Sequence, residues 1–186
     1  MLENVKTWMI PEGEVVKAER DGVLVWKKII EPKNWAKYST ESDDVTIYNN
    51  GQGIKIGTRI RSGGAEGTES RAICTGYIPA KPSNIFRLYT PDSYAFATTM
   101  TASAINIYDS GKNCIGQLAS NGVYGNFSGK SHQWSNNIVK KNGMFEWTIP
   151  SDVGAVAYIR VTVGHQNDVS ATGEGLIITI NEEISL

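Results

Sequence analysis

Through much of the chain, apolar and polar residues alternate with a period of two. In AVAYIRVTV, residues 155–163, Ala157, Ile159, Val161 and Val163 fall on one side and Tyr158, Arg160 and Thr162 on the other. That is the pattern of a half-buried strand, with one face in a core and one in water. Ile105 and Ile107 in SAINIY repeat it, as do Phe145, Trp147 and Ile149 in FEWTI, and Leu176, Ile178 and Ile180 in LIITI. No stretch sustains helical spacing, and no internal repeat of fixed period occurs. Clusters of Gly, Asn and Ser separate the runs, and 19 glycines against 6 prolines suit a chain of many turns. The expectation is an all-β fold: an antiparallel, jelly-roll-like β-sandwich with an N-terminal β-hairpin, its two sheets stacked about 10 Å apart around one core.

Charge density divides the chain. Of the first 33 residues 12 are charged, against 25 of the remaining 153, and Glu31, Pro32 and Lys33 read as a short linker. Residues 1–33 are therefore expected to form a hairpin or anchor segment, and residues 34–186 the sandwich. Asp21-Gly22, between EVVKAER and VLVWKKI, signals a two-residue hairpin turn, because both positions need a positive φ that Asp and Gly tolerate. That register sets Arg20 opposite Val23, Ala18 opposite Val25 and Lys17 opposite Trp26. A lone hairpin is marginal in water, so Trp8, Val15, Leu24 and Trp26 need cover from the following domain or a neighbouring chain. They are the candidate anchor residues.

Composition narrows the function classes. A chain of 186 residues suits one ordinary domain with or without a small appendage, large enough to bury a core. Its net charge of -1 supplies no positive field for a polyphosphate backbone, so nucleic acid is not the expected partner. Cys74 and Cys114 stand far apart, without metal-ligand or CxxC spacing, and read as isolated thiols. MLENVKTWMIPEGE lacks the basic start and apolar run of a secretion signal, and nowhere do about 18 apolar residues run together. Neither export by that route nor membrane insertion is expected.

Several stretches resemble catalytic motifs and fail on spacing. NNGQGIKIG, residues 49–57, places Gly57 one residue too late for a dinucleotide fingerprint, and IKIGTRIR after it alternates as a strand does. On that reading Ile54, Ile56, Thr58 and Ile60 share one face, while Lys55, Arg59 and Arg61 form a basic stripe on the other, a solvated face or a site for an acidic glycan. GNFSGKS, residues 125–131, has three residues between its glycines where a P-loop has four, and Asn126 stands where a nucleophile elbow needs Gly. His165 and Asp168 read as a turn after a strand more readily than as a metal pair. Asp43-Asp44 and Glu182-Glu183 are adjacent in extended chain and diverge to opposite faces, which is wrong for an acid/base couple. No catalytic residue, metal or cofactor is assigned. What remains is NGVYGNFSGKSHQWSNN, residues 121–137, where Tyr124, Phe127, His132 and Trp134 stand among amides and hydroxyls. Flat rings and amides are the mixture that binds sugars, and such rings also pin long loops to a sandwich.

The order of segments carries a resemblance. TIYNNGQGIKIGTRIRSGG, TGYIPAKPSNIFRLY, INIYDSGKNCIGQ, AYIRVTV and IITINEEIS together resemble the C-terminal β-sandwich module of structural proteins from tailed bacteriophages and prophages of Firmicutes, over roughly residues 34–186. WMIPEGEVVKAERDGVLVWKK is similar to a small phage module at the start of short virion proteins. The resemblance implies a tail-fibre, tail-tip or head-fibre part of the virion, assembled in the bacterial cytoplasm. It also implies other virion proteins and a host-surface glycan as partners. It transfers no active-site residue. Weak single sugar sites gain by repetition, so a homo-oligomer is expected, with a trimer the first candidate. The alternatives from other classes are a purely structural capsid decoration, head-fibre or baseplate protein, and a glycan-degrading enzyme, for which no carboxylate pair stands out.

Overall fold

The computed structural model describes residues 5–9, 15–20, 23–27, 34–36, 53–90, 103–119, 122–125, 139–141, 144–164, 172–182 and 184, and all regular structure among them is β. The chain divides into two compact units, Met1–Pro32 and Lys33–Leu186.

In the first unit β1 (Val5–Met9), β2 (Val15–Arg20) and β3 (Val23–Lys27) form an antiparallel sheet in the order β1-β2-β3. The expected hairpin is thus part of a three-stranded sheet. Arg20 stands opposite Val23, as the two-residue turn requires, but the register then shifts between Ala18 and Glu19. Ala18 consequently faces Trp26, not Val25, and Lys17 faces Lys27, not Trp26. The cause is general: one extra residue on one strand displaces every later pair by one. Among the anchor candidates, Trp8 stands opposite Lys17, Val15 opposite Met9 and Leu24 opposite Glu19.

The second unit is a sandwich of two antiparallel sheets. The larger contains β4 (Ile54–Ile60), β5 (Glu66–Thr75), β6 (Ile78–Pro79), β8 (Ala104–Tyr108), β9 (Cys114–Ala119), β10 (Gly122–Gly125) and β13 (Tyr158–Gly164). Its order is β10-β9-β8-β13-β5-β4, with β6 also paired to β13. The smaller contains β7 (Ile85–Tyr89), β11 (Val139–Lys141), β12 (Met144–Thr148) and β14 (Ile177–Ile180), in the order β11-β12-β7-β14. Alternate residues of both sheets build one core. Ile105, Ile107, Leu118, Ile159 and Val161 from the larger sheet cluster with Phe86, Leu88, Trp147 and Ile178 from the smaller. The period of two places these residues correctly. Asn34 ties the start of the sandwich to its last strand: its Nδ2 donates to Leu176 O at 2.9 Å, and its Oδ1 accepts from Ala36 N at 3.0 Å and Ile178 N at 2.9 Å. Three partners satisfy a buried amide that would otherwise oppose folding.

Two expectations about alternation fail for one reason. The outer side of β13 does not face water, since Arg160 is 4% exposed and Thr162 0%. Nor do Ile54, Ile56, Thr58 and Ile60 share an environment: Ile54 packs against the core, Ile56 is 50% exposed, and Ile60 is buried outside the core cluster. Gly57 interrupts β4 with a φ of 70° and stands alone opposite Glu69–Ala72 of β5. A glycine adopts that backbone without strain, and a bulge of this kind bends the strand pair. Beyond the bend, the tip of the β4–β5 hairpin reaches the outer face of its own sheet. The last glycine of NNGQGIKIG therefore lies inside a strand, opposite the extra residues of β5, and β4 continues through it to Ile60 without a helix.

Candidate functional site

The outer face of the larger sheet, beneath that hairpin tip, gathers most of the recognition chemistry that the structure describes. Strand pairing sets its residues in rows. Arg160, Asn106 and Gln117 stand side by side across β13, β8 and β9, with Tyr124 of β10 at the next register position, and Tyr158, Tyr108 and Cys114 form the neighbouring row. Asn106, Gln117, Arg160 and Tyr108 of these rows meet the tip. Asn106 Nδ2 donates to Arg61 O at 3.0 Å, and its Oδ1 accepts from Gln117 Nε2 at 2.9 Å. Gln117 Nε2 also donates to Ile60 O at 3.2 Å, while Thr162 Oγ1 accepts from Ile60 N at 3.0 Å. Tyr108 donates its hydroxyl to Gly64 O at 3.4 Å.

An ion network fastens the tip from the side. Arg160 Nε donates to Thr75 O at 2.9 Å, and its Nη2 meets Glu66 Oε1 at 2.6 Å. The other oxygen of Glu66 lies 2.7 Å from Lys55 Nζ. The carboxylate of Glu66, on the tip, thus bridges a buried guanidinium of β13 and a half-exposed ammonium of β4. The hydrogen bond and charge of Glu66 hold the Lys55 ammonium above its ordinary pKa. Burial pushes the Tyr108 hydroxyl well above the usual tyrosine range, against the opposing influence of Arg160. Tyr77 completes the cluster, edge-on to Tyr108 at 5.0 Å and to Tyr158 at 5.8 Å. Arg160 and Lys112 each lie over the Tyr77 ring, at 4.9 and 5.2 Å from its centroid. Next to Tyr108, the turn Asp109–Asn113 closes on the Asp109 carboxylate, which accepts from Asn113 N at 2.9 Å and is held below its ordinary pKa by Asn113.

Chemically, this arrangement is a set of amides, hydroxyls, cations and rings in which Asn106, Gln117, Thr162, Tyr108 and Arg160 are engaged by the protein's own hairpin. Among the described residues no three His, Cys, Asp or Glu side chains gather where one metal ion could be held. Cys74 is buried beside Arg160 and Cys114 is half-buried, both as free thiols.

Of the residues singled out from sequence, Tyr124 lies in β10 at the row described above, and Trp8, Val15, Leu24 and Trp26 lie in the three-stranded sheet. Phe127, His132, Trp134, His165, Asp168 and the Asp43-Asp44 pair fall outside the described residues. Lys55, Arg59 and Arg61 do not act as one stripe, because Lys55 is drawn to Glu66 across the hairpin. Asn106, Gln117, Thr162 and Arg160 were missed by the sequence reading. Their signal was present as polar residues between apolar ones, but the same pattern marks an ordinary wet face. Comparison with protein-family models, with curated proteins and with solved structures gives no match for this chain.

Proposed function

We propose that this chain is a bacteriophage virion appendage protein, docked on the particle by its N-terminal sheet and carrying a β-sandwich that binds carbohydrate on the host surface. The observation that carries this reading is the separation of a small three-stranded unit from the sandwich. Strands of five and six residues bearing Trp8, Val15, Leu24 and Trp26 need an apolar surface to rest on, and on this reading the particle supplies it. The ordered resemblance of the sandwich segments to phage modules supports the same reading. Tyr124, Phe127, His132 and Trp134 are the proposed sugar contacts, and several copies per particle, as a trimer or higher oligomer, would raise avidity. The test is binding of the full chain to a panel of host cell-wall polysaccharides. The expected result is binding that Tyr124→Ala and Trp134→Ala abolish, and silence across the panel would refute it.

One observation favours a second reading, a structural virion component without sugar binding. The face of the larger sheet richest in amides and rings is covered by the protein's own hairpin tip. Under that reading, deletion of residues 1–32 prevents incorporation into particles, while Tyr124→Ala and Trp134→Ala leave infection intact.

A further inference from the structure

The tip of the β4–β5 hairpin has an outward side as well as the side that meets the sheet. Arg59 stands opposite Gly67 in register, so the two project to the same side, and Arg61, two residues on, shares it. Gly67 has no side chain, and the head of Arg61 fills the space: a Cβ built at Gly67 would lie 2.6 Å from Arg61 Nε and 3.1 Å from Nη2. Arg61 thereby reaches back toward the position of Arg59. The nearby acids are engaged elsewhere, Glu66 with Lys55 and Arg160, and Glu69 with Arg71. Arg59 Nε is buried and has no hydrogen-bond partner among the described residues. Two like charges on one patch are a local cost that an oxyanion on the exposed side of the guanidinium groups would relieve, because the guanidinium fork matches carboxylate and phosphate oxygens.

We propose that Arg59 and Arg61, arranged around Gly67, form a docking site for the oxyanion groups of an acidic glycopolymer. Their backbone positions are about 7 Å apart on one side of the strand and the head of Arg61 reaches back, so the pair presents one concentrated positive patch to an acidic chain. Nucleic acid fits less well. The protein as a whole is slightly negative, and neither β4 nor β5 carries an aromatic ring on which a base could stack. The site uses none of residues 121–137, so it stands whether or not those residues bind sugar.

The experiment measures binding of the full chain to immobilised poly(glycerol phosphate) and to polygalacturonate, which separate phosphodiester from carboxylate recognition, at low salt and again near 0.5 M, where charge attraction is screened to within about 4 Å. Wild type should bind at least one polymer. Arg59→Gln with Arg61→Gln should weaken that binding about tenfold, the scale expected for losing charge-assisted hydrogen bonds. Gly67→Ala keeps both charges but displaces the head of Arg61, and should weaken binding severalfold. A control that removes two charges on the smaller sheet and the turn before it, Lys81→Gln with Lys140→Gln, should stay within about twofold. The proposal is overturned if wild type binds neither polymer, if the arginine variant or Gly67→Ala binds as wild type does, if the lysine control loses as much, or if single-stranded DNA binds as tightly as the better polymer. Circular dichroism of each variant confirms that the fold is kept.

Discussion

Replacing Thr162 by Val tests whether the hairpin tip is held to the sheet by hydrogen bonds between backbone and side chains. Arg61 N donates to Ala65 O at 2.9 Å, which makes the 61–65 pair a hydrogen-bonded one. By the alternation of an antiparallel ladder, the N–H and C=O of Ile60 then point away from β5. Thr162 Oγ1 accepts that N–H at 3.0 Å and Gln117 Nε2 donates to that carbonyl at 3.2 Å. Val has nearly the shape of Thr but no acceptor, and both Thr162 and Ile60 are buried, at 0% and 2% exposure. An orphaned buried N–H costs about 1–3 kcal/mol, and the added methyl returns at most about 0.8 kcal/mol. The net loss should fall between about 0.2 and 3 kcal/mol, and a unit of this size should melt about 2–4 °C lower for each kcal/mol. Urea unfolding followed by fluorescence of the five tryptophans gives the free energy, and amide exchange at Ile60 locates the effect. Thr162→Ser keeps the oxygen and should preserve Ile60 protection, although it gives up a buried methyl. A Val variant as stable as wild type, with Ile60 still protected, would refute this account of the tip.

Gly64→Ala should be destabilising by about 1–3 kcal/mol in thermal melts, because its φ is 86° and a Cβ there would lie 2.5 Å from the Cys114 Cβ. Gly63→Ala, with nothing within 4 Å of its Cβ, should change stability by less than about 0.5 kcal/mol. Alkaline pH should loosen the same region. Tyr108 and Lys55 both hold their protons more tightly when folded than at their ordinary values of 10.0 and 10.5. Their contribution is complete below about pH 10 and is lost as pH rises through the folded values, so the unfolding free energy should fall above pH 10. Tyr108→Phe should flatten that fall, and an unchanged pH profile would show that Tyr108 does not contribute to it.

How much of the site was legible can be followed along β13. Ile159, Val161 and Val163 could be assigned to a core from their spacing alone, because a strand sends alternate side chains to opposite faces and an apolar face must find cover. Arg160 and Thr162 could be assigned to the other face, but not to its burial. Whether a polar face meets water or another part of the chain depends on a contact between residues 60 and 162, which no local pattern encodes. The basic stripe shows the same limit. Lys55, Arg59 and Arg61 look alike in sequence, but the bend at Gly57 sends Lys55 to Glu66 and leaves the two arginines without an ion pair to any described residue.

By itself, the sequence determined an all-β chain, the inward residues of strands such as β8 and β13, and a charged N-terminal stretch with hairpin chemistry. Those are consequences of side-chain period and turn preference, which act over a few residues at a time. Only the tertiary structure decided the order of strands in the two sheets, the closure of one sheet face by a bent hairpin, and the choice of Glu66 as the bridge between Lys55 and Arg160. These depend on which distant segments share space, and that is settled by the joint packing of the whole core and the need to satisfy every buried polar group.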